Sequence, residues 1–283
     1  MRPIDIHMHA PTEEHLVATC GEYFRAIDEF FHEERGPVPL ASLIEAMDRA
    51  GVAQGVLVGL DAETATGRPR TPNDHIAKLV AQYPDRLIGF ASVDPWKGKL
   101  AVQELERAIR ELGLRGVKFH PPMQAFFPND RICYPLYELC QDLGVPILFH
   151  TGFSGPGMGK PGGLGVRLKY GEPIPYIDDV ATDFPELTLI CAHFGWPWTE
   201  EMLSVALHKA NVCIDLSGWA PRYFPRSVVQ YMNTLLQDKC LFGTDYPYVA
   251  HDRWLAEFQR LDLKDEVREK VLERNARRIL RLE

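Results

Sequence analysis

The residues most suited to chemistry are histidines at the ends of strand-like apolar runs. Five of the ten histidines stand there: His7, His9, His120, His150 and His193. Because residues i and i+2 of a strand point the same way, His7 and His9 should face one point. Asp245 ends a further apolar run. Neutral imidazole nitrogens suit Zn²⁺, Mn²⁺, Fe²⁺ and Co²⁺, so this set predicts a site for a divalent metal.

Each of these residues also has a simpler interpretation. A single histidine at a strand end is more often a hydrogen-bonded structural residue than a ligand, because metal binding is one of many uses of histidine. An H-x-H pair also occurs by chance. What favours a shared site is their coincidence on the first, fifth, sixth and eighth predicted strands, always at the C-terminal end.

The elements that must position these side chains alternate between strand and helix. The strand-like runs are residues 4–9, 52–60, 87–93, 114–120, 145–150, 187–193, 212–217 and 240–245. Most are continuously apolar, as parallel strands buried on both faces are. The helical patterns between them include residues 40–50, which Gly51 follows as a C-terminal cap.

Alternating strands and helices imply parallel pairing through right-handed crossovers. Eight such units predict an α/β fold, a (β/α)8 TIM barrel, as one domain over residues 1–283 with a C-terminal helix at 266–280. Such barrels carry their active sites at the C-terminal strand ends, and strand eight neighbours strand one. An open doubly wound sheet is the alternative, but the first turn lacks the G-x-G-x-x-G of a nucleotide site.

The composition of the chain limits the classes of partner that it is expected to bind. The net charge of −8 and the absence of a basic run argue against nucleic acid. No apolar run approaches the roughly 20 residues needed to span a bilayer. The six cysteines form no C-x-x-C pair and are expected to be reduced thiols in a cytoplasmic protein. We therefore expect a small-molecule substrate and no nucleic-acid or membrane partner, and a homodimer or higher homo-oligomer stays open.

The motifs around these residues resemble the amidohydrolase superfamily, in the amidohydrolase 2 branch that includes aminocarboxymuconate-semialdehyde decarboxylase. The matching stretches are IDIHMH (4–9), GVKFHP (116–121), FHTG (149–152), AHFG (192–195), GTDYP (243–247) and NARRIL (275–280). The motifs follow the family's order and cover essentially the whole chain.

The resemblance implies roles for individual residues. His7, His9, His150 and Asp245 would bind one divalent ion, with Zn²⁺ as the first candidate and Mn²⁺, Fe²⁺ or Co²⁺ as alternatives. His193 and Asp245 would be catalytic. Such an ion lowers the pKa of its bound water from about 15.7 to roughly 7. Asp245 could accept the water's proton, and His193 could orient the nucleophile or act as acid–base catalyst.

Four further residues are candidates for substrate binding: Lys118, His120, Arg167 and Trp196. In binuclear members of the superfamily a lysine on strand four is carboxylated and bridges two metals. Because this branch usually holds one, Lys118 is expected to pair with a substrate carboxylate or an acidic neighbour instead. Arg167 lies on the glycine-rich connection 151–172, which is expected to close over the site as a lid. A solvated loop charge and rim packing are the simpler interpretations of Arg167 and Trp196.

The remaining histidines, His15, His32, His75, His208 and His251, are assigned no role, and His15, His32 and His251 are placed in loops. The function expected first is metal-dependent hydrolysis of a small carbonyl compound that carries a carboxylate. Non-oxidative decarboxylation of an aromatic or unsaturated acid is the alternative, and a non-catalytic metal-binding protein is the remote one. The fold by itself does not select a reaction.

Overall fold

Residues 1–282, which the computed structural model describes, fold around a ring of eight parallel strands. The strands are β1 Ile4–His9, β2 Gln54–Val58, β3 Leu87–Phe90, β4 Val117–Phe119, β5 Ile147–His150, β6 Leu189–Ala192, β7 Val212–Asp215 and β8 Cys240–Leu241. β1 to β3 pair in sequence order, as do β4 to β8. Every run that the sequence predicts as a strand therefore contains one.

Two seams join these groups of strands into a closed barrel. Ala91 pairs with Val117 between β3 and β4, and Met8 pairs with Tyr246 between β1 and the segment after β8. At the second seam the His9 amide donates a hydrogen bond to the Tyr246 carbonyl at 2.8 Å. The predicted TIM barrel is thus confirmed, and the end of β1 lies beside the chain that follows β8.

Helices surround the ring and its two ends. They are α1 Gly21–Phe31, α2 Leu40–Ala50, α3 Glu63–Thr66, α4 Asn73–Gln82, α5 Lys99–Arg110, α6 Pro121–Gln124, α7 Tyr134–Leu143, α8 Tyr176–Asp183, α9 Thr199–His208, α10 Arg226–Met232, α11 His251–Phe258, α12 Asp265–Glu269 and α13 Asn275–Leu280. α2 has its predicted bounds. It buries Leu43 and Met47, and it ends at Gly51, whose φ of 73° is the left-handed conformation that glycine adopts readily.

The predicted C-terminal helix is present and seals the bottom of the barrel. α12, the π-helical segment Lys270–Arg274 and α13 follow one another without a break. Ala276, Ile279 and Leu280 pack against the side chains that fill the barrel interior. This packing leaves the opposite end, where the strands terminate, as the open mouth.

Several predicted strands extend too far toward that mouth. The predictions 114–120, 187–193 and 240–245 overrun β4, β6 and β8, because His120, His193 and Asp245 lie beyond the hydrogen-bonded ladder. His193 and Asp245 have φ values of 67° and 62°. A non-glycine residue rarely adopts this conformation, which turns the chain away from the strand direction at both positions.

The long connections after β1 and β5 pack against each other above the barrel. The first contains the π-helical segment Glu13–Cys20 followed by α1. From the second, Gly157 donates its N–H to the Tyr23 carbonyl at 2.9 Å. Leu164 and Val166 pack on the apolar cluster around Tyr23. The connection 151–172 is therefore held against α1.

All six cysteines are buried and unpaired, as the sequence predicts. Among residues 1–282, no helix combines the length and the apolar composition needed to cross a membrane.

Candidate metal centre

The barrel closure brings His7, His9 and Asp245 together. One ligand atom from each lies within 4.8 Å of the other two. Asp245 Oδ1 is 3.1 Å from His9 Nε2 and 3.3 Å from His7 Nε2. The Asp245 amide also donates to the His7 carbonyl at 2.9 Å, so the backbone of β1 fixes the position of the carboxylate. Three of the four residues predicted as ligands thus form one cluster.

The ring of His7 is oriented by a carboxylate behind it. His7 Nδ1 donates to Asp215 Oδ2 at 2.9 Å, and Asp215 also accepts from the Ser217 hydroxyl at 2.7 Å. Burial raises the pKa of Asp215 to about 6, so it is mostly ionised at neutral pH. Burial also holds the pKa of His7 well below its usual value. A neutral His7 with its proton on Nδ1 presents the Nε2 lone pair to Asp245.

Asp245 has an oxygen that no donor satisfies. Its Oδ1 is buried and accepts no hydrogen bond within the described residues, although two imidazole nitrogens are close to it. Burial would raise the pKa of Asp245, but attraction to His7 and the other histidines in their protonated form holds it well below its usual range. An ionised oxygen that faces imidazole lone pairs is repelled by them unless a cation is shared.

The spacing of the cluster also fits a cation. Ligand atoms that sit about 2.0–2.2 Å from one metal lie roughly 3 Å from each other, and the two separations here are 3.1 and 3.3 Å. The donor set and its geometry therefore suit a divalent metal bound by His7, His9 and Asp245.

His150 lies beside His193 and outside this cluster of three. His193 Nδ1 donates to the Ser217 carbonyl at 2.9 Å, so a neutral His193 carries its lone pair on Nε2. That nitrogen is 3.1 Å from His150 Nδ1, and His150 Nε2 is 2.9 Å from the Phe153 carbonyl. Burial lowers the pKa of His193 to about 4 and holds that of His150 well below its usual value. A neutral His150 has one N–H and can satisfy only one of these two acceptors.

Lys118 and His120 both reach the centre from the end of β4. Lys118 Nζ donates to His7 Nε2 at 3.2 Å, and burial lowers its pKa to about 8. The His120 ring stacks on His150 with centroids 3.9 Å apart. Its Nδ1 accepts the Met123 N–H at 3.3 Å, which places the proton of a neutral His120 on Nε2. Both predicted substrate contacts therefore lie in the site as hydrogen-bond donors.

The other two predicted substrate contacts are further out. Trp196 is 40% exposed and packs against Phe153 and Trp219, with ring centroids 5.7 and 5.4 Å away. It forms an aromatic surface three residues beyond His193. Arg167 is exposed, and among residues 1–282 no described contact joins it to the histidine cluster. The structure does not bring Arg167 into the site.

His15 and His251, for which the sequence predicts no role, contact residues of the centre. Both lie in helical segments, so the prediction that they lie in loops is wrong. His15 lies in the segment Glu13–Cys20 with its Nε2 2.9 Å from His9 Nδ1. His251 begins α11, and its Nε2 is 3.1 Å from Asp5 Oδ2. Asp5 accepts from the amides of His7 and Thr244 at 3.0 and 3.1 Å, and so joins β1 to the chain after β8.

Local sequence patterns predict few of the residues that support the centre. Asp215 and Ser217 could have been noticed, because they are polar residues two apart at the end of a predicted strand. Nothing in the sequence pairs His15 with His9 or His251 with Asp5, since these contacts depend on how the connections fold back over the barrel.

Comparison with known proteins agrees with this fold. A family model described as amidohydrolase, Amidohydro_2, matches residues 4–282. The chain therefore belongs to the amidohydrolase family of enzymes. It is 36% identical over 199 residues to 2-amino-3-carboxymuconate-6-semialdehyde decarboxylase of Dictyostelium discoideum, an alignment that spans 62% of this chain and 55% of that protein. It is 26% identical to gamma-resorcylate decarboxylase of a Polaromonas species over 99% of this chain and 98% of the relative.

Solved structures share the barrel over its full length. An uncharacterized TIM-barrel protein from Bordetella bronchiseptica superposes with a TM-score of 0.83 at 28% identity, covering 100% of this chain and 99% of the other. A dihydroxybenzoic acid decarboxylase from Polaromonas, solved with bound manganese and the inhibitor 2-nitroresorcinol, superposes with a TM-score of 0.68. It is 20% identical and covers 99% of this chain and 97% of that one, a likeness that concerns the fold.

Proposed function

We propose that this amidohydrolase is a divalent-metal-dependent carboxy-lyase, which removes the carboxyl group of an aromatic or unsaturated acid without oxidation. The observation that carries the proposal is the similarity to gamma-resorcylate decarboxylase, which extends over 99% of this chain and 98% of that enzyme. The Dictyostelium relative is also named as a decarboxylase. These relatives favour decarboxylation over the hydrolysis that was expected first.

We propose that His7, His9 and Asp245 hold the metal and that His150 completes the ligand set. Binding requires Lys118 Nζ to release His7 Nε2. It also requires His150 to exchange one of its two present contacts, with His193 or with the Phe153 carbonyl, for the ion. An ion held there would supply a Lewis acid for an oxygen of the substrate. The Polaromonas structure contains manganese, so Mn²⁺ is to be tested together with Zn²⁺.

The donors next to the metal cluster suit an anionic substrate. The Lys118 ammonium and the Nε2–H of His120 are buried donors at the end of β4. Charge-assisted hydrogen bonds to a carboxylate are about twice as strong as neutral ones. We propose that these two groups bind the substrate's carboxylate and that the aromatic surface around Trp196 faces its planar part.

Decarboxylation then needs one proton at the correct carbon. The bond between this carbon and the carboxylate breaks, CO₂ leaves, and the carbon retains the electron pair and takes up a proton. No oxidant or reductant is involved. His193 Nε2 and the Asp245 carboxylate face the centre and carry no proton at neutral pH. We propose that they take up a proton from solvent once the substrate is bound and deliver it to this carbon.

The burial of the centre is consistent with this reaction. His7, His150 and His193 are 1%, 6% and 5% exposed. A negatively charged carboxylate that enters such a site loses its hydration. Release of neutral CO₂ relieves this cost, because the departing group no longer carries the charge. A hydrolase must in addition admit and position a water molecule.

The experiment is a metal-dependent assay of CO₂ release. The purified protein is stripped with a chelator, supplied with Mn²⁺ or Zn²⁺, and offered 2,6-dihydroxybenzoate, 5-carboxyvanillate and a set of hydrolysable esters and lactones. We expect CO₂ release that needs the metal, that 2-nitroresorcinol inhibits, and that is lost in His7→Ala. Gly36→Ala is the matched control, because no atom lies within 4 Å of a Cβ added there. Metal-dependent ester or lactone cleavage without CO₂ release would overturn the proposal.

A further inference from the structure

A chain of four hydrogen bonds leads away from His9 on the side opposite Asp245. His9 Nδ1 is 2.9 Å from His15 Nε2, and His15 Nδ1 is 2.8 Å from Thr71 Oγ1. Thr71 Oγ1 is 3.0 Å from Thr19 Oγ1, which lies 2.9 Å from the Glu14 carbonyl oxygen. We refer to these five residues as the His15 relay.

The last member gives the relay a direction. A peptide carbonyl can only accept, so the Thr19 hydroxyl donates to Glu14 and must itself accept from Thr71. Because Thr71 has one hydroxyl proton and donates it to Thr19, its oxygen must accept a hydrogen bond from His15 Nδ1. A neutral His15 therefore has its lone pair on Nε2 and accepts from His9 Nδ1. His9 in turn carries its lone pair on Nε2, the atom that faces Asp245.

The relay is built from two connections of the barrel. His15, Thr19 and Glu14 belong to the π-helical segment Glu13–Cys20, and Thr71 lies between β2 and α4. The segment Glu13–Cys20 consists of π-turns, and the Thr19 side-chain hydroxyl donates to the Glu14 carbonyl five residues before it. Such turns are rare and occur frequently at functional sites.

The packing around His9 Nδ1 favours His15 Nε2 as the acceptor of its proton. His15 is completely buried. The ring centroids of His15 and His9 are 5.1 Å apart. The Phe24 ring packs edge to face against both, with its centroid 5.2 Å from that of His9 and 6.1 Å from that of His15. Cys20 Sγ, 3.6 Å from His15 Nε2, is the other polar atom at that nitrogen.

We propose that His15 is a positioning residue for the metal centre, which holds His9 in the tautomer with its lone pair on Nε2. The inference rests on the proposed function in that it takes His9 to be a metal ligand. Without an acceptor at position 15, the His9 proton can reside on Nε2, where Asp245 Oδ1 at 3.1 Å accepts it. That hydrogen bond would then have to break before His9 could bind a cation.

Two pairs of variants test the relay. His15→Phe keeps a ring and removes both nitrogens, and His208→Phe makes the same change at an exposed helix end. Thr71→Val keeps the side-chain shape and removes the hydroxyl that fixes His15, whereas Thr71→Ser retains the hydroxyl. If His15→Phe fails to fold, the Thr71 pair still decides. Circular dichroism and thermal unfolding establish which variants are folded.

Two measurements are made on each folded variant. ¹⁵N NMR of histidine-labelled, metal-free protein reports which nitrogen of His9 carries the proton. Competition with a chromophoric chelator gives the Kd for Zn²⁺. We expect the proton on Nδ1 in the wild type and on Nε2 in His15→Phe, with Zn²⁺ binding about 10–100-fold weaker, the usual effect of removing a ligand's hydrogen-bond partner. Thr71→Val should show a smaller loss, and Thr71→Ser and His208→Phe should match the wild type.

The outcomes separate the relay from the proposed function. A His9 proton on Nε2 in the wild type would overturn the relay. So would an unchanged tautomer and Kd in His15→Phe and Thr71→Val, or in Thr71→Val alone if His15→Phe does not fold. A wild type that binds no divalent ion would overturn the proposed function instead. The tautomer of His9 in metal-free protein would still decide whether His15 controls it.

Discussion

Gly243 lies just before the Asp245 turn, in contact with the carboxylate that orients His7. A Cβ added to Gly243 would lie 2.1 Å from Asp215 Oδ1 and 3.0 Å from Ser217 Cβ. Gly243 does not adopt a left-handed φ, so Gly243→Ala tests steric contact alone. Ordinary contact begins at 3.4 Å, and the carboxylate must therefore move by about 1.3 Å, the difference between 3.4 and 2.1 Å.

Such a displacement breaks hydrogen bonds of Asp215. The carboxylate accepts from His7 Nδ1 at 2.9 Å, from the Ser217 amide at 2.9 Å and from the Ser217 hydroxyl at 2.7 Å. If the distance from His7 Nδ1 to the Asp215 carboxylate increases by about 1 Å, the two groups are no longer hydrogen-bonded. We expect metal binding to weaken about 10–100-fold, which is about 1.4–2.7 kcal/mol. Overpacking should also lower the free energy of unfolding by about 1–3 kcal/mol.

The assays are the Kd for Zn²⁺ or Mn²⁺ by chelator competition and the free energy of unfolding in urea. Gly36→Ala serves as the control, because it adds the same methyl group in open space. A folded Gly243→Ala protein that binds the ion as tightly as the wild type would refute the role given to the Asp215–His7 hydrogen bond.

Three further predictions concern the division of roles around the metal. His193→Asn should retain the metal and lower turnover by about 10²–10⁴, and an emptied site in this variant would make His193 a ligand. His150→Ala should weaken metal binding in the chelator assay, whereas an unchanged Kd would restrict the ligands to His7, His9 and Asp245. Deletion of residues 155–165 should leave metal content unchanged and greatly reduce kcat/KM if the connection after β5 is a lid. Unchanged kinetics would show that this connection is a surface loop without a role in catalysis.

The barrel could be predicted because its signals are local. Each strand is a short apolar run, and α2 ends at a glycine, so the positions of these elements follow from residues near in sequence. The strand ends could not be placed as well. His193 and Asp245 leave the ladder in left-handed conformations that depend on neighbouring strands, and sequence patterns do not show these conformations.

The metal cluster was predictable only in part. His7 and His9 follow from the two-residue period of a strand, and Asp245 follows from the closure of the barrel. The supporting residues were not predictable, because Asp215 is 208 positions from His7 and His15 acts from within a π-turn. The contact of His150 with Phe153 likewise depends on the path of the connection after β5.

The most direct test of the metal centre is elemental analysis of the purified wild type and His7→Ala, each supplied with Zn²⁺ and Mn²⁺ and then desalted. We expect about one divalent ion per chain in the wild type and a large loss in His7→Ala, since a mononuclear site loses affinity with each ligand. Two ions per chain with a carboxylated Lys118 would place the protein in the binuclear class. A wild type without metal, or a His7→Ala variant with full metal content, would contradict the assignment of the centre to His7, His9 and Asp245.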